Sequence, residues 1–191
     1  MDEKIDCVML AAGASSRMGS WKLTLPLRNS TVIECSVNGA LEVCSRVILV
    51  SGFRAEELER LFCDWKNVTL VVNDQYTKGM FSSIKTGVTR VHTDRFFVAL
   101  GDMPLVDPAV YKRLVQFRNV PVIIPKYKGK KGHPILLAKK VIKAITALDE
   151  TRTLRDVLAQ FPTLAVPVEN SHILHDIDSQ EDYENLISHR T

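Results

Sequence analysis

The sequence predicts an α/β chain, a mostly parallel sheet with helices on both faces, and three observations predict it. Short β-branched runs alternate with amphipathic stretches of helical length, the imprint that βαβ units leave on a sequence. A loop of small residues at 10–22 follows directly on the first apolar run. Glycine- and aspartate-bearing loops then recur after later runs, at the carboxyl ends of strands where open α/β sheets collect their ligands.

Strands are expected at 5–10, 46–50, 68–72, 96–100, 120–125, 133–137 and 164–168. The first crossover helix is expected over 31–43, where Val32, Ile33, Val37, Ala40 and Leu41 recur at helical spacing. Leu58, Leu61 and Phe62 repeat that pattern over 55–62, and a third helix is read over 82–91. Asp107-Pro108 places a capping side chain before a proline at the first helical position and opens a helix through 117. Later helices are expected at 139–148, 153–161 and 180–188, the last started by Ser179-Gln180-Glu181-Asp182, a capping box with Asp in place of Glu. No repeat, low-complexity tract or linker interrupts this order, so residues 1–191 read as one domain.

Composition narrows the class. With 191 residues, 46% hydrophobic and 25% charged, the chain can bury a full core. A formal net charge of +3 is too small to mark a nucleic-acid-binding surface. No apolar stretch is long enough to span a membrane and Met1-Asp2-Glu3-Lys4 does not open a signal peptide, so the expected compartment is the cytoplasm. Cys7, Cys35, Cys44 and Cys63 show no CxxC pairing and are expected to be reduced, buried thiols. Lys126, Lys128, Lys130 and Lys131 fall between two apolar runs, as at a hairpin tip, where they are either simply solvated or attract an anionic substrate.

Four loops carry chemistry. In Leu10-Ala11-Ala12-Gly13-Ala14-Ser15-Ser16-Arg17-Met18-Gly19-Ser20-Trp21-Lys22, small side chains let backbone N–H groups approach phosphate oxygens, and Arg17 and Lys22 add fixed positive charge. The loop is neither GxGxxG nor GxxxxGK[ST], because its glycines are Gly13 and Gly19 and Lys22 is followed by Leu23. Gly101-Asp102-Met103-Pro104 presents one carboxylate at a strand's carboxyl end, sufficient beside a triphosphate to hold Mg²⁺. In 72–83, Gly79, Ser82 and Ser83 precede a helix and could hold a base or ribose. Asp176 and Asp178, two apart, face one way in extended chain and either could complete a metal site.

These segments, with Gly132-His133-Pro134, resemble the molybdenum cofactor nucleotidyltransferases, and most closely their cytidylyltransferase branch. The resemblance runs in order through nearly the whole chain. It implies a three-layer α/β/α, Rossmann-like fold of the glycosyltransferase-A-like type, with a nucleoside triphosphate under the glycine-containing loop. It implies Mg²⁺ on Asp102, phosphate contacts from Lys22 and Arg17, and a second metal ligand from Asp176 or Asp178, with Asp176 favoured. Leu10, Ala11, Ala12, Gly13, Ser15, Gly79, Ser82, Ser83 and Gly101 would line the nucleotide site, and Gly132, His133 and Pro134 the acceptor site. Guanylyl-transferring relatives have a second glycine where Ala12 stands, which favours CTP over GTP. The implied acceptor is the phosphate of molybdopterin and the implied recipient a molybdenum hydroxylase. Two other readings stay open at this point: transfer to a sugar phosphate or methylerythritol-type phosphate, and a non-catalytic chaperone that carries the pterin.

Overall fold

Cys7, Met9 and Ala11 turn to one side of the first strand, and Val8 and Leu10 to the other. That alternation divides the molecule into two apolar layers with one sheet between them. The structure, a computed structural model, describes residues 3–14 and 21–188.

In chain order, β1 (Asp6–Ala11) leads to a small hairpin of β2 (Pro26–Leu27) and β3 (Ser30–Thr31), then α1 (Val32–Leu41). There follow β4 (Arg46–Ser51), α2 (Ala55–Phe62), β5 (Val68–Val72) and α3 (Met80–Val88). Next come β6 (Arg95–Leu100), α4 (Pro108–Val115), β7 (Val122–Tyr127), β8 (Lys130–Lys131) and β9 (Ile135–Ala138). The chain closes with α5 (Val141–Ala147), α6 (Leu154–Leu158), β10 (Thr163–Pro167) and α7 (Gln180–Ser188).

The sheet runs β10-β7-β9-β6-β1-β4-β5, with β8 on β7. β1 lies parallel to both β4 and β6, and β9 is antiparallel to both β6 and β7. The reversal follows from the connection, since a short hairpin returns the chain antiparallel whereas a parallel neighbour needs a crossover. Lys128 (φ 43°) and Gly129 (φ 87°) form that hairpin's tip, a two-residue turn with both residues left-handed. Lys126 pairs across it with Lys131, so the basic cluster is the exposed strand ending the sequence suggests.

On one face α1, α2 and α4 bury Ile33, Val37, Leu58, Val110 and Leu114 against Met9, Leu49 and Phe97. On the other, α3, α5 and α6 bury Ile84, Val88, Val141, Ile145 and Val157 against Val8, Ile48 and Phe96. The result is the expected α/β/α sandwich. α3 comes closest to the strands at Gly87, where a Cβ would lie 2.4 Å from Val8 Cγ1 and 2.7 Å from Val50 Cγ2. At the opposite end of β1, Asp6 is 2% exposed. Its carboxylate accepts a bidentate pair from Arg46 (3.0 and 2.9 Å) and the His92 amide (2.8 Å). It ties β1, β4 and the turn before β6 together.

Helix starts follow their chemistry. Asp107 Oδ1 accepts from the Ala109 amide at 2.7 Å, and Ser179 and Asp182 exchange the reciprocal bonds of a capping box. Two expectations need correction. The third helix, expected over 82–91, spans Met80–Val88 and so begins two residues earlier, after Gly79 (φ 101°), with the Ser82 hydroxyl donating to the Gly79 carbonyl at 2.8 Å. Of the cysteines, Cys7 and Cys44 are buried, but Cys35 is half-buried and Cys63 exposed at the end of α2; none is in a disulfide. Among the described residues no helix is long and apolar enough to cross a membrane.

Candidate active site

β1 and β6 are parallel neighbours with Leu10 opposite Leu100, so their carboxyl ends deliver two loops to one edge of the sheet. The Gly101 amide donates to the Leu10 carbonyl at 2.9 Å, and Ser36 Oγ donates to the Gly101 carbonyl at 2.8 Å. A side chain at Gly101 would meet Ile33 Cδ1 at 2.5 Å and the Leu10 carbonyl oxygen at 3.0 Å. Only glycine lets β6 end this close to β1, and that fixes where Asp102 begins.

The segment after Gly13 returns to the same edge. Trp21, 4% exposed, donates from Nε1 to the Gly13 carbonyl at 3.1 Å, and Leu23 buries itself in the short helical turn Lys22–Thr24. Between these anchors Lys22 faces inward. The third contribution comes from 176–178, where Ile177 is buried against Leu27 and Val32 and its amide donates to the Asp102 carbonyl at 3.0 Å. Burying the middle residue of an extended triplet turns Asp176 and Asp178 to the same side, as their spacing predicts.

Lys22 Nζ lies 2.7 Å from Asp102 Oδ2 and 3.1 Å from Asp178 Oδ1. Burial works to lower the Lys22 pKa, but the two carboxylates outweigh it and the ammonium is held above its ordinary value. The Asp102 pKa is also raised, which for a carboxyl favours the neutral form. Burial raises its pKa, Lys22 opposes this, and the Asp176 charge adds to the rise. Oxygens of Asp102, Asp176 and Asp178 all lie within 4.8 Å of one another. Three hard oxygen donors at that spacing fit a divalent cation such as Mg²⁺ or Mn²⁺, which would join Lys22 in neutralising them.

This cluster closes one end of a cleft of ≈ 450 Å³ floored by residues 10–13. The facing wall is Tyr76, Gly79, Met80 and Ser83. Tyr76 stacks over Gly52, where a Cβ would come 2.6 Å from the tyrosine's own Cβ. Ser83 is set by Asn73, a buried amide that donates to Ser82 Oγ (2.9 Å) and Ser83 Oγ (3.0 Å). A second cavity of ≈ 810 Å³ lies beyond, and it shares only Asp176 and Asp178 with the first.

The residues that the sequence points to therefore divide. Leu10, Ala11, Ala12, Gly13, Lys22, Gly79, Ser83, Asp102, Asp176 and Asp178 meet around the first cleft. Ser82 and Gly101 stand behind it as supports, since neither lines it. Gly132, His133 and Pro134 line neither cavity. The His133 amide donates to the Ile173 carbonyl at 2.9 Å, and burial pushes its imidazole pKa down to about 4 against the pull of Asp176. Ser15 and Arg17 lie outside the described residues. Sequence reasoning missed Tyr76 and Met80. A methionine following Gly79 at a helix start was the available signal, and it is 58% exposed at the rim of the cleft.

Residues 7–166 match the family model described as the MobA-like NTP transferase domain. Over 179 residues the chain is 36% identical to the molybdenum cofactor cytidylyltransferase of Escherichia coli (strain K12), covering 94% of this chain and 93% of that one. It is 30% identical over 135 residues to a probable molybdenum cofactor guanylyltransferase of Natranaerobius thermophilus, covering 68% and 63%. A solved nucleotidyl transferase from Methanothermobacter thermautotroptrophicus superposes with a TM-score of 0.84 at 26% identity, covering 97% of each chain.

Proposed function

The chain belongs to the MobA-like NTP transferase family, and from that membership we propose that it transfers CMP from CTP to the phosphate of molybdopterin, releasing pyrophosphate. The observation that carries this reading is the meeting of Lys22 with Asp102 at 2.7 Å in a cleft floored by residues 10–13, with Asp176 and Asp178 beside them. The 36% identity to a cytidylyltransferase and Ala12 at the position of the guanylyl relatives' second glycine support CTP.

In this reading the triphosphate lies along residues 10–13, with their backbone amides, Lys22 and Arg17 against its oxygens. Asp102 with Asp176 and Asp178 would hold Mg²⁺, which when bound would supply positive charge against the phosphates. The nucleophile is a phosphomonoester with a second pKa of about 6, ionised at neutral pH without a protein base. Its oxygen bonds to the α-phosphorus while the bond from that phosphorus to the α,β-bridging oxygen breaks, and pyrophosphate leaves with the electron pair. The chain's work is to bring two anions together and to shield their charge. Residues 1–191 act as one nucleotidyltransferase unit that supplies a molybdenum hydroxylase with its finished cofactor.

Pyrophosphate release tests the reading, with CTP, GTP and ATP each paired with molybdopterin, glucose 1-phosphate and methylerythritol phosphate in the presence and absence of Mg²⁺. Release above background only with CTP, molybdopterin and Mg²⁺ together is expected. Molybdopterin bound without any release would make the chain a carrier; release with another pair would reassign base or acceptor.

A further inference from the structure

β4 ends beside β1, and the residues after it are hooked to the floor of the first cleft, where the Phe53 amide donates to the Ala12 carbonyl at 3.2 Å. One residue further, Arg54 lays its guanidinium over the Trp21 indole, 5.8 Å from the ring centroid, and over the Phe53 ring at 5.9 Å. We propose that Arg54 is a positioning residue for the triphosphate: stacked on Trp21, it keeps the loop between Gly13 and Lys22 tied and so fixes the Lys22 ammonium. The proposal rests on the nucleotidyl-transfer reading and adds a residue outside the cleft on which its phosphate end depends.

Three observations carry it. The first is the choice of residue. Arg54 precedes α2 at φ 53° and ψ 40°, in the left-handed region where a Cβ is costly and Gly or Asn is the ordinary occupant. Its side chain makes no capping bond to the helix, and its charge stands at the helix's positive end. Arginine is therefore unfavourable here on three local grounds. A residue that breaks local preferences in this way is held for what its side chain reaches.

The second is what the guanidinium reaches. Glu57, in the first turn of α2, takes Nε at 2.8 Å and leaves the flat of the group to the two rings. Those rings stand edge to face, 6.0 Å between centroids. Both contacts fall within the about 6 Å at which a cation and an aromatic face attract, and a planar guanidinium covers such a face as a lysine ammonium does not.

The third is what Trp21 does. Its Nε1 donates to the Gly13 carbonyl at 3.1 Å, so the chain that leaves the cleft floor at Gly13 is tied back where it returns. Indole has one polar donor, and the orientation of the ring decides whether that bond forms. The next residue is Lys22, with Nζ 2.7 Å from Asp102. Trp21 is 4% exposed and Arg54 is an exposed residue, so the guanidinium lies between the ring and water. Removing it uncovers the tie without touching the cleft.

Trp21 and Trp65 are the chain's two tryptophans, so in a Trp65→Phe background the emission reports on Trp21 alone. In that parent, Arg54→Asn, Arg54→Lys and Glu57→Gln are compared by acrylamide quenching without nucleotide, by equilibrium dialysis of CTP with Mg²⁺, and by melting temperature. Asparagine accepts the left-handed conformation, so Arg54→Asn is expected to melt close to its parent. Its quenching should rise and its CTP affinity fall about fivefold, the scale of one exposed cation–π contact. Arg54→Lys keeps the charge and part of the cover and should recover part of both. Glu57→Gln leaves residue 54 in place and should move both readouts the same way by less. Unchanged quenching in Arg54→Asn overturns the proposal, as does a rise in quenching with unchanged CTP affinity. If the parent binds GTP or ATP in place of CTP, the comparison is made with that nucleotide, because the tie acts on the phosphate tail. A parent that binds none of the three defeats the nucleotidyl-transfer reading and the proposal together, whereas the two results before it defeat the proposal alone.

Discussion

The Lys22 ammonium sits 2.7 Å from an Asp102 carboxylate oxygen and so stands among the groups suited to a divalent cation. Under the proposed function, ammonium and metal would compete for the same oxygens until a triphosphate offers the lysine better partners. Lys22→Met is expected to bind Mn²⁺ several-fold more tightly than the wild type in the absence of nucleotide, read from the free-ion paramagnetic signal. The same variant should lose about 10²-fold in turnover, the scale for removing one charge-stabilising group. Equal or weaker Mn²⁺ binding would show that the ammonium does not block the site.

Asp102→Asn should leave the melting temperature near that of the wild type and reduce turnover by about 10²-fold or more. The side chain is held on a backbone fixed by Gly101, so its shape survives while its charge is lost. Near-normal pyrophosphate release from a folded variant would remove Asp102 from the mechanism.

Gly132→Ala forces a methyl group to within 2.0 Å of the Ile173 carbonyl oxygen unless the turn moves. Overpacking of this kind costs about 1–3 kcal/mol. A lower melting temperature is expected, together with a raised KM for the acceptor and an unchanged KM for CTP. A rise in both KM values would place the strain at the nucleotide cleft instead.

Asp6→Asn removes the charge from a buried carboxylate that receives the Arg46 guanidinium on both oxygens. Burial raises the Asp6 pKa, but the Arg46 and backbone hydrogen bonds overcome this and leave it below the ordinary value. A depressed folded pKa contributes stability above the unfolded value of about 3.9 and loses it as pH falls through the folded one. The variant should therefore be about 2 kcal/mol less stable at pH 7, the scale for a charge-assisted buried pair. The gap should close below about pH 4. Thermal melts from pH 7 to pH 3 check this; a gap that widens with acid would reverse the assignment.

The sheet could be read from the sequence because each strand of its core is a continuous apolar run, and the ends of β1 and β6 could be read because small residues and Gly101-Asp102 punctuate them. The β2–β3 hairpin could not, since two-residue strands leave no period. The hairpin reading of 126–131 anticipates that β9 runs antiparallel to β7, but nothing local shows that β9 slots in between β7 and β6. At the site, each carboxylate was visible singly, but nothing local shows that Lys22 and Asp178, 156 residues apart, share a bond. Tyr76 escaped notice because an aromatic in a polar loop gains its role only from the bare backbone of Gly52 beneath it. The ≈ 810 Å³ cavity has no sequence signature, since three unrelated turns build it.

Because Lys22 finds one carboxylate at the end of β6 and another beyond Ser171–Leu174, the centre is complete only once nearly the whole chain has been synthesised. A ribosome-bound chain that has released β1, β4, β5 and β6 carries the four strands that lie side by side in the finished sheet, yet lacks the last two acidic groups. Only when the segment through Asp178 has been made can the ammonium acquire both of its counter-charges.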